Sequence, residues 1–239
     1  MMLKLAISGA GGRMGQRITH FARQDPQIII AALLEHDGHE FVGKNINGVA
    51  VSSDPETLKR AQVFIDFTTP EATLRNLKVC EKLGVKVVIG TTGMNQEQIA
   101  EIEKASKKIP IVFSSNMSVG VNLVFKMVQT TAEVTQKNYT IEISETHHVH
   151  KKDAPSGTAK TIQHIAEKYS GQLVKDMKSF REGEVIGDHT IVFESDEDVI
   201  AVTHHAKTRD IFAKGSLVAA KFLAKKSSGL YSMQDVLGF

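Results

Sequence analysis

A single cysteine, Cys80, among 239 residues takes away the thiolates on which structural zinc sites usually draw. It falls in a helical pattern after Leu74 and Leu77, which makes it a packing residue and fits a reducing cytoplasm. Charge of one sign is also scarce. Lys plus Arg number 29 against 27 Asp plus Glu, so a formal charge of +2 provides no electrostatic footprint for nucleic acid or an anionic membrane surface. No apolar run approaches the length of a membrane span. The opening Met1-Met-Leu-Lys-Leu-Ala-Ile-Ser8 is too short for a secretory apolar region and runs straight into a glycine turn, so it reads as a first strand. The chain carries no internal repeat and no low-complexity segment. At 41% hydrophobic and 23% charged, it has the composition of an ordinary soluble globular protein, long enough for one large or two small domains, with a small-molecule partner expected.

Histidine and lysine are concentrated in one place. Within Glu145-Thr-His-His-Val-His-Lys-Lys-Asp-Ala-Pro-Ser-Gly-Thr-Ala-Lys160, the residues His147, His148, His150, Lys151, Lys152 and Asp153 crowd a few positions. Upstream, Tyr139, Ile141 and Ile143 alternate with Thr140, Glu142 and Ser144 as in a half-buried strand. Downstream, Ile162, Ile165, Ala166 and Tyr169 share a helical face, so a helix begins near Ser156, a favoured N-cap type. The titratable groups therefore lie at a strand end and on the loop after it. The amides of Gly157 and Thr158 at the helix start suit a carboxylate or phosphate. A metal reading, with His147 and His150 or His148 with His204 and His205 as ligands, competes with this one. The adjacent lysines disfavour a cation, and no metal is expected.

The first half alternates strand and helix. Leu3 to Ser8 leads into Gly9-Ala-Gly-Gly-Arg-Met-Gly15 and a helix carrying Met14, Ile18, Phe21 and Ala22 on one face. The strict G-x-G-x-x-G spacing fails because position 14 is Met. Gly9, Gly12 and Gly15 still supply a tight turn and a helix start for a pyrophosphate. Ile28 to Leu34 is a second strand ending at Glu35, where an acid accepts hydrogen bonds from an adenosine ribose. Strands at 63–67, 85–89 and 109–113 end in Asp66 to Thr69, Gly90 to Gly93 and Ser114 to Met117, and helices begin at Pro70 and near Asn95. Such alternation implies a parallel sheet with ligands beyond its strand ends. From Ser118 a longer helix crosses into a part dominated by strands at 140–144, 189–194 and 199–203, with 173–188 irregular and a hairpin tip at Ser195 to Asp198. Few helices are available to cover that sheet, so a second subunit is expected on one face. After Arg209 a helix returns.

These motifs, with Asp66-Phe-Thr-Thr-Pro70, Gly90-Thr-Thr-Gly93, Ser115-Asn-Met-Ser-Val-Gly-Val-Asn122 and above all His147 through Thr158, resemble the 4-hydroxy-tetrahydrodipicolinate reductase (dihydrodipicolinate reductase) family along nearly the whole chain. The resemblance implies an α/β fold in two parts. A Rossmann-like dinucleotide-binding domain spans 1–117 and 209–239, and a mixed α+β substrate-binding and tetramerisation domain spans 118–208. It further implies hydride transfer from NADH or NADPH to a cyclic imine bearing two carboxylates, in lysine and diaminopimelate synthesis, by a cytoplasmic homotetramer. By position, His147 and Lys151 match the family's proton donors, and His148, Gly157 and Thr158 its substrate contacts. Gly9, Ala10, Gly11, Gly12, Arg13, Met14, Glu35, His36, Gly90, Thr91, Thr92, Ser114, Ser115, Asn116 and Met117 match cofactor contacts. His36 stands where many members carry Arg and Thr69 replaces an Arg, so both grips on a 2′-phosphate are weakened, and Met117 stands where an aromatic is often found. A dinucleotide sensor would have no use for the His-Lys cluster. A metal-dependent hydrolase would be recognised by bound metal.

Overall fold

In the computed structural model, which describes residues 2–239, the chain runs β1 (Leu3–Ser8), α1 (Arg13–Gln24), β2 (Ile28–Leu34), β3 (Asn45–Ile46), β4 (Val49–Ser52), β5 (Val63–Asp66), α2 (Pro70–Leu83), β6 (Lys86–Ile89), α3 (Gln96–Ser106) and β7 (Pro110–Phe113). It continues through α4 (Val119–Thr135), β8 (Thr140–His147), α5 (Gly157–Ser170), β9 (Asp176–Arg181), β10 (Asp188–Glu194) and β11 (Val199–His205), and closes with α6 (Asp210–Leu223), β12 (Gly229–Tyr231) and α7 (Met233–Leu237). A single 3₁₀ turn, Pro55–Arg60, precedes β5. Two compact units result, one comprising 1–118 with 212–239 and the other 119–211.

Unit 1 is an eight-stranded sheet in the order β12-β7-β6-β5-β1-β2-β4-β3, parallel apart from the short β3/β4 pair. β1 pairs with β2 on one side and β5 on the other, so successive connections leave it in opposite directions. That divergence opens a crevice beyond the carboxyl end of β1, where ligands settle in sheets of this kind. The strands are apolar on both faces because each face is covered. Leu5, Ile7, Leu33 and Ile65 belong to one core with Ile18 of α1 and Ala213 and Leu217 of α6. Ala6, Phe64, Val87 and Ile111 belong to the other with Leu77 and Cys80 of α2 and Ile102 of α3. Cys80 is fully buried, as its place in the helical pattern implies.

Unit 2 is a four-stranded sheet in the order β11-β10-β8-β9. Its covered face carries Ile141, Ile143, Ile191, Phe193 and Val202, packed with Val121, Val124 and Phe125 of α4 and Ile162 and Ala166 of α5. β8 alternates strictly between this face and the other, and the β10–β11 hairpin turns at Ser195 to Asp198. The irregular segment expected at 173–188 instead contains β9, which pairs in parallel with β8 from Glu142/Asp176 to His147/Arg181. A parallel neighbour needs a crossover, and α5 is that crossover.

Candidate active site

The expected site residues fall into two groups, one in each unit. In unit 1, Gly9 adopts φ +63°, which a side chain disfavours, and its carbonyl accepts from the Gly12 amide at 2.8 Å. A Cβ on Gly15 would lie 2.0 Å from the Gly9 carbonyl oxygen, so only glycine lets α1 start this close to the end of β1. The N-cap, Gly12, supplies no side-chain hydrogen bond, and the first amides of α1 have no hydroxyl or carboxylate over them. A cavity of about 960 Å³ opens here, lined by Gly9, Gly12, Arg13, Met14, Glu35 and His36 among others. Its size and donor-rich floor fit a dinucleotide, with the diphosphate at the α1 start and the ribose at Glu35.

Glu35 is oriented by the Gly11 amide (2.9 Å) and the His36 amide (3.1 Å). Ala10 is buried, its amide donating to Leu34, so its contribution to a ligand is confined to backbone. The His36 Nδ1 lies 2.9 Å from the Asp37 carbonyl, to which it can only donate, and this leaves Nε2 as the ring atom free for a ligand. Two residues to which the sequence assigned nothing share this cavity, His39 and Arg75. Glu35, His36 and His39 offer ligand atoms within 4.8 Å of one another, a candidate cation site among the described residues. The His39 Nδ1, however, accepts the Phe41 amide proton at 3.2 Å, so the neutral ring carries its proton on Nε2. That makes it a donor suited to a hydroxyl or phosphate rather than a ligand for a cation.

The other expected cofactor residues do not line this cavity. A Cβ on Gly90 would lie 2.2 Å from the Phe67 ring, so Phe67 rather than Gly90 reaches the cavity wall. The Thr91 hydroxyl is buried and accepts from the Thr68 amide (3.1 Å) and the Thr73 hydroxyl (2.8 Å), supporting the loop after β5 from beneath. Thr92 and Ser115 are exposed at their strand ends, the Ser114 hydroxyl donates to the Asn116 carbonyl (3.0 Å), and the Asn116 side chain accepts the Ser118 amide (2.8 Å). Met117 faces inward. It is 1% exposed and belongs to the core with Ala213 and Leu217, which leaves it only backbone to offer a ligand.

In unit 2, His147 is the last residue of β8 and lies on the covered face, its Nδ1 hydrogen-bonded to the Glu145 carboxylate two residues earlier. Glu145 is 1% exposed and also accepts from the Arg181 guanidinium (3.0 Å) and the Ser156 amide (3.3 Å). Burial alone would raise the Glu145 carboxyl. Hydrogen bonds from Arg181, His147 and Ser179 outweigh it and hold the group below the usual carboxylate range. Burial lowers the His147 imidazole against the pull of Glu145, with Lys151 and Arg181 adding to the lowering. Gly187 stands beside the opposite ring edge, where a Cβ would come 2.9 Å from Nε2. On β10, His189 meets His147 edge to face at 5.2 Å, and burial pushes its imidazole down to about 4, so it is neutral at physiological pH.

The Lys151 ammonium donates to Asp153 at 2.8 Å. Ser156 is the N-cap of α5, its hydroxyl accepting from the Ala159 amide at 3.1 Å, so Gly157 and Thr158 open the helix at its positive end. His148, the residue after β8, is half-buried, with an Nδ1 buried and lacking a partner among the described residues. His204 and His205 cannot act together, for His204 shares the His189 face while His205 pairs with Asp188 on the other (2.5 Å). Sequence reasoning missed Glu145, Arg181, His189 and Gly187. Glu145 and His189 left a signal, each a polar residue in phase with the apolar face of its strand, Ile141 and Ile143 on β8 and Ile191 and Phe193 on β10.

A buried carboxylate–imidazole pair, a lysine and a helix start are chemically able to supply a proton and to hold an anion. Comparisons with known proteins identify the family. Residues 3–117 match the family model "Dihydrodipicolinate reductase, N-terminus" and residues 120–237 the model "Dihydrodipicolinate reductase, C-terminus". The chain is 39% identical to 4-hydroxy-tetrahydrodipicolinate reductase of Polynucleobacter necessarius, with 99% of each chain covered, and 40% identical to that of Neisseria meningitidis, covering 99% of this chain and 97% of the relative. In fold it is similar to a dipicolinate-bound dihydrodipicolinate reductase from Paenisporosarcina sp. TG-14, at a TM-score of 0.85 and 23% identity over 98% of this chain and 99% of the other. On the strength of both family models and near full-length identity, the chain belongs to the dihydrodipicolinate reductase family.

Proposed function

We propose that this chain catalyses the NAD(P)H-dependent reduction of 4-hydroxy-tetrahydrodipicolinate, by way of dihydrodipicolinate, to tetrahydrodipicolinate in lysine and diaminopimelate synthesis. The observation that carries the reading is the buried Glu145–His147 pair on the family's own His147-to-Thr158 run, with Lys151 four residues on. The nicotinamide coenzyme, held by unit 1, supplies the hydride. His147 and Lys151 deliver the proton that the reduced imine then needs, as general acids. His148, Lys151 and the Gly157–Thr158 start of α5 bind the substrate carboxylates. The direct test is coenzyme oxidation with enzymatically generated hydroxytetrahydrodipicolinate. No turnover with either coenzyme refutes the reading.

Within this reading, NADH serves at least as well as NADPH. Glu35 accepts from ribose hydroxyls and repels a 2′-phosphate, and His36 lacks the permanent charge and planar fork of an arginine at that position. Arg75, on the cavity wall with Thr69 and Ala72, is the cation that lets NADPH compete. The active form is a homotetramer in the cytoplasm, built through the uncovered face of the unit 2 sheet.

A further inference from the structure

The covered face of the unit 2 sheet changes character along its length. Ile141, Ile143, Ile191 and Phe193 fill most of it, and beyond them the same alternation brings in Glu145 and His147 from β8 and His189 from β10. Three ionisable groups replace apolar ones at one end of a core face, and burying a carboxylate there is unfavourable unless its charge and lone pairs are all used. They are used. The Glu145 Oε2 takes the His147 Nδ1 proton, and Oε1 takes the Ser156 amide and Arg181 Nη2. Arg181 reaches further, since its Nε donates to the Lys151 carbonyl (3.3 Å) and its Nη2 to the Asp153 carbonyl (2.5 Å). One guanidinium thus connects the carboxylate behind His147 to the backbone of the loop that carries Lys151.

We propose that Glu145 and Arg181 are the positioning pair of this site: Glu145 holds His147 with its proton on Nδ1 and Nε2 as the exchanging atom, and Arg181 fastens the 151–153 loop to that same carboxylate. The inference rests on reading His147 and Lys151 as the proton donors. Neither Glu145 nor Arg181 exchanges a proton with substrate. Both act through the groups they hold, as an orienting carboxylate does for an imidazole acid–base catalyst.

Opposite charges make the pair testable, because the groups facing His147 are few. Glu145 is the anion on its own strand. Arg181 on β9 and Lys151 on the loop are cations, the latter shared with Asp153, while His189 on β10 is neutral and α5 contributes the Ser156 amide. Glu145→Gln removes the anion, so the His147 titration moves to lower pH, and a carboxamide no longer dictates which ring nitrogen is protonated. Arg181→Gln leaves the anion unshared, so the His147 titration moves to higher pH. Arg181→Lys keeps the charge but lacks the planar fork, so the titration stays near its place while Lys151 loses its anchor.

The experiment is histidine ¹⁵N NMR across a pH series on the full chain, with kcat and KM for all three variants. We expect Nδ1–H in the unmodified protein, mixed tautomers in Glu145→Gln, and shifts of opposite sign, about one pH unit each, in Glu145→Gln and Arg181→Gln. We also expect kcat at least tenfold lower in all three, with KM for coenzyme unchanged. An unchanged tautomer in Glu145→Gln, or shifts of the same sign in the two Gln variants, overturns the inference. If Glu145→Gln does not fold, Arg181→Gln against Arg181→Lys carries the test: an upward shift in the first alone supports the pair, and equal behaviour refutes it. Should His147→Gln turn over normally while these shifts hold, the proton-donor reading fails and the positioning geometry stands. An inactive His147→Gln without the shifts sinks only the positioning pair.

Discussion

Among the residues named for chemistry, His147 and Lys151 have different environments and should fail differently. His147 is enclosed and tied to Glu145, whereas Lys151 sits on a loop and shares its charge with Asp153. His147→Gln and Lys151→Ala are each expected to lower kcat by about 10² or more through loss of acid catalysis, with coenzyme affinity intact; near-normal turnover in both would contradict the assignment. Coenzyme choice turns on single residues too. The His36 Nδ1 is committed to the Asp37 carbonyl, so Nε2 is the ring atom left for a ligand. His36→Arg should favour NADPH and Arg75→Ala should reduce its use, both read as kcat/KM ratios. A strong NADPH preference that survives His36→Ala and Arg75→Ala would show that another residue reads the phosphate. The His-Lys cluster was legible because it is contiguous. Arg181 was not, lying thirty-four positions past His147 and brought opposite it only by the β8/β9 register.

Most elements with strong periodicity or a cap were legible to within a residue or so, whereas β8 and β11 run three and two residues beyond their expected ends at 144 and 203. β1 and β2 have the expected bounds, and α5 starts at the expected Ser156 cap because local chemistry decides these ends. β9 escaped detection because it is an edge strand with partial exposure throughout, so Asp176, Lys178 and Ser179 obscure any apolar alternation. β3, β4 and β12 are two to four residues long, too short for a pattern to show. Packing between distant segments was equally hidden, and α6 is the instructive case. A Cβ on Gly215 would lie 1.7 Å from the Met117 carbonyl oxygen, so this helix presses directly on the backbone after β7. A backbone carbonyl cannot rotate aside as a side chain does. Gly215→Ala should therefore destabilise unit 1 by about 1–3 kcal/mol, read by urea denaturation, despite the helix propensity gained. At Gly90 the obstacle is a side chain, the Phe67 ring on the cavity wall, so Gly90→Ala should cost less stability and more coenzyme affinity. Equal effects of the two would contradict this distinction.

Taken as a molecule, the chain leaves one face of the unit 2 sheet without a helix over it, where Val199 and Phe180 are exposed beside polar neighbours. A homotetramer covering that face is the expected state, and light scattering that returns a monomer at micromolar concentration would refute it. Stability against pH is the other property of the whole chain that the site governs. His189 titrates near 4 in the fold, against ~6.5 when unfolded, because burial penalises its charged form. A depressed folded pKa means that unfolding takes up a proton between those two values. The stabilisation is thus complete above pH ~6.5 and is lost as pH falls toward 4, an amount of about 3 kcal/mol at 1.36 kcal/mol per unit. Burial lowers His147 and His204 as well, which deepens the fall in the same direction. Glu145 acts in a more acidic window, its contribution present above the ordinary carboxylate pKa and lost as pH drops through its lower folded value. The unfolding midpoint in urea should therefore decline from pH 6.5 to 4 before carboxylates titrate. His189→Gln, which keeps a hydrogen-bonding partner for Ser156 without a titrating ring, should flatten the upper part of that decline. A midpoint constant from pH 7 to 5 in the unmodified protein would show that His189 is not buried as a neutral ring.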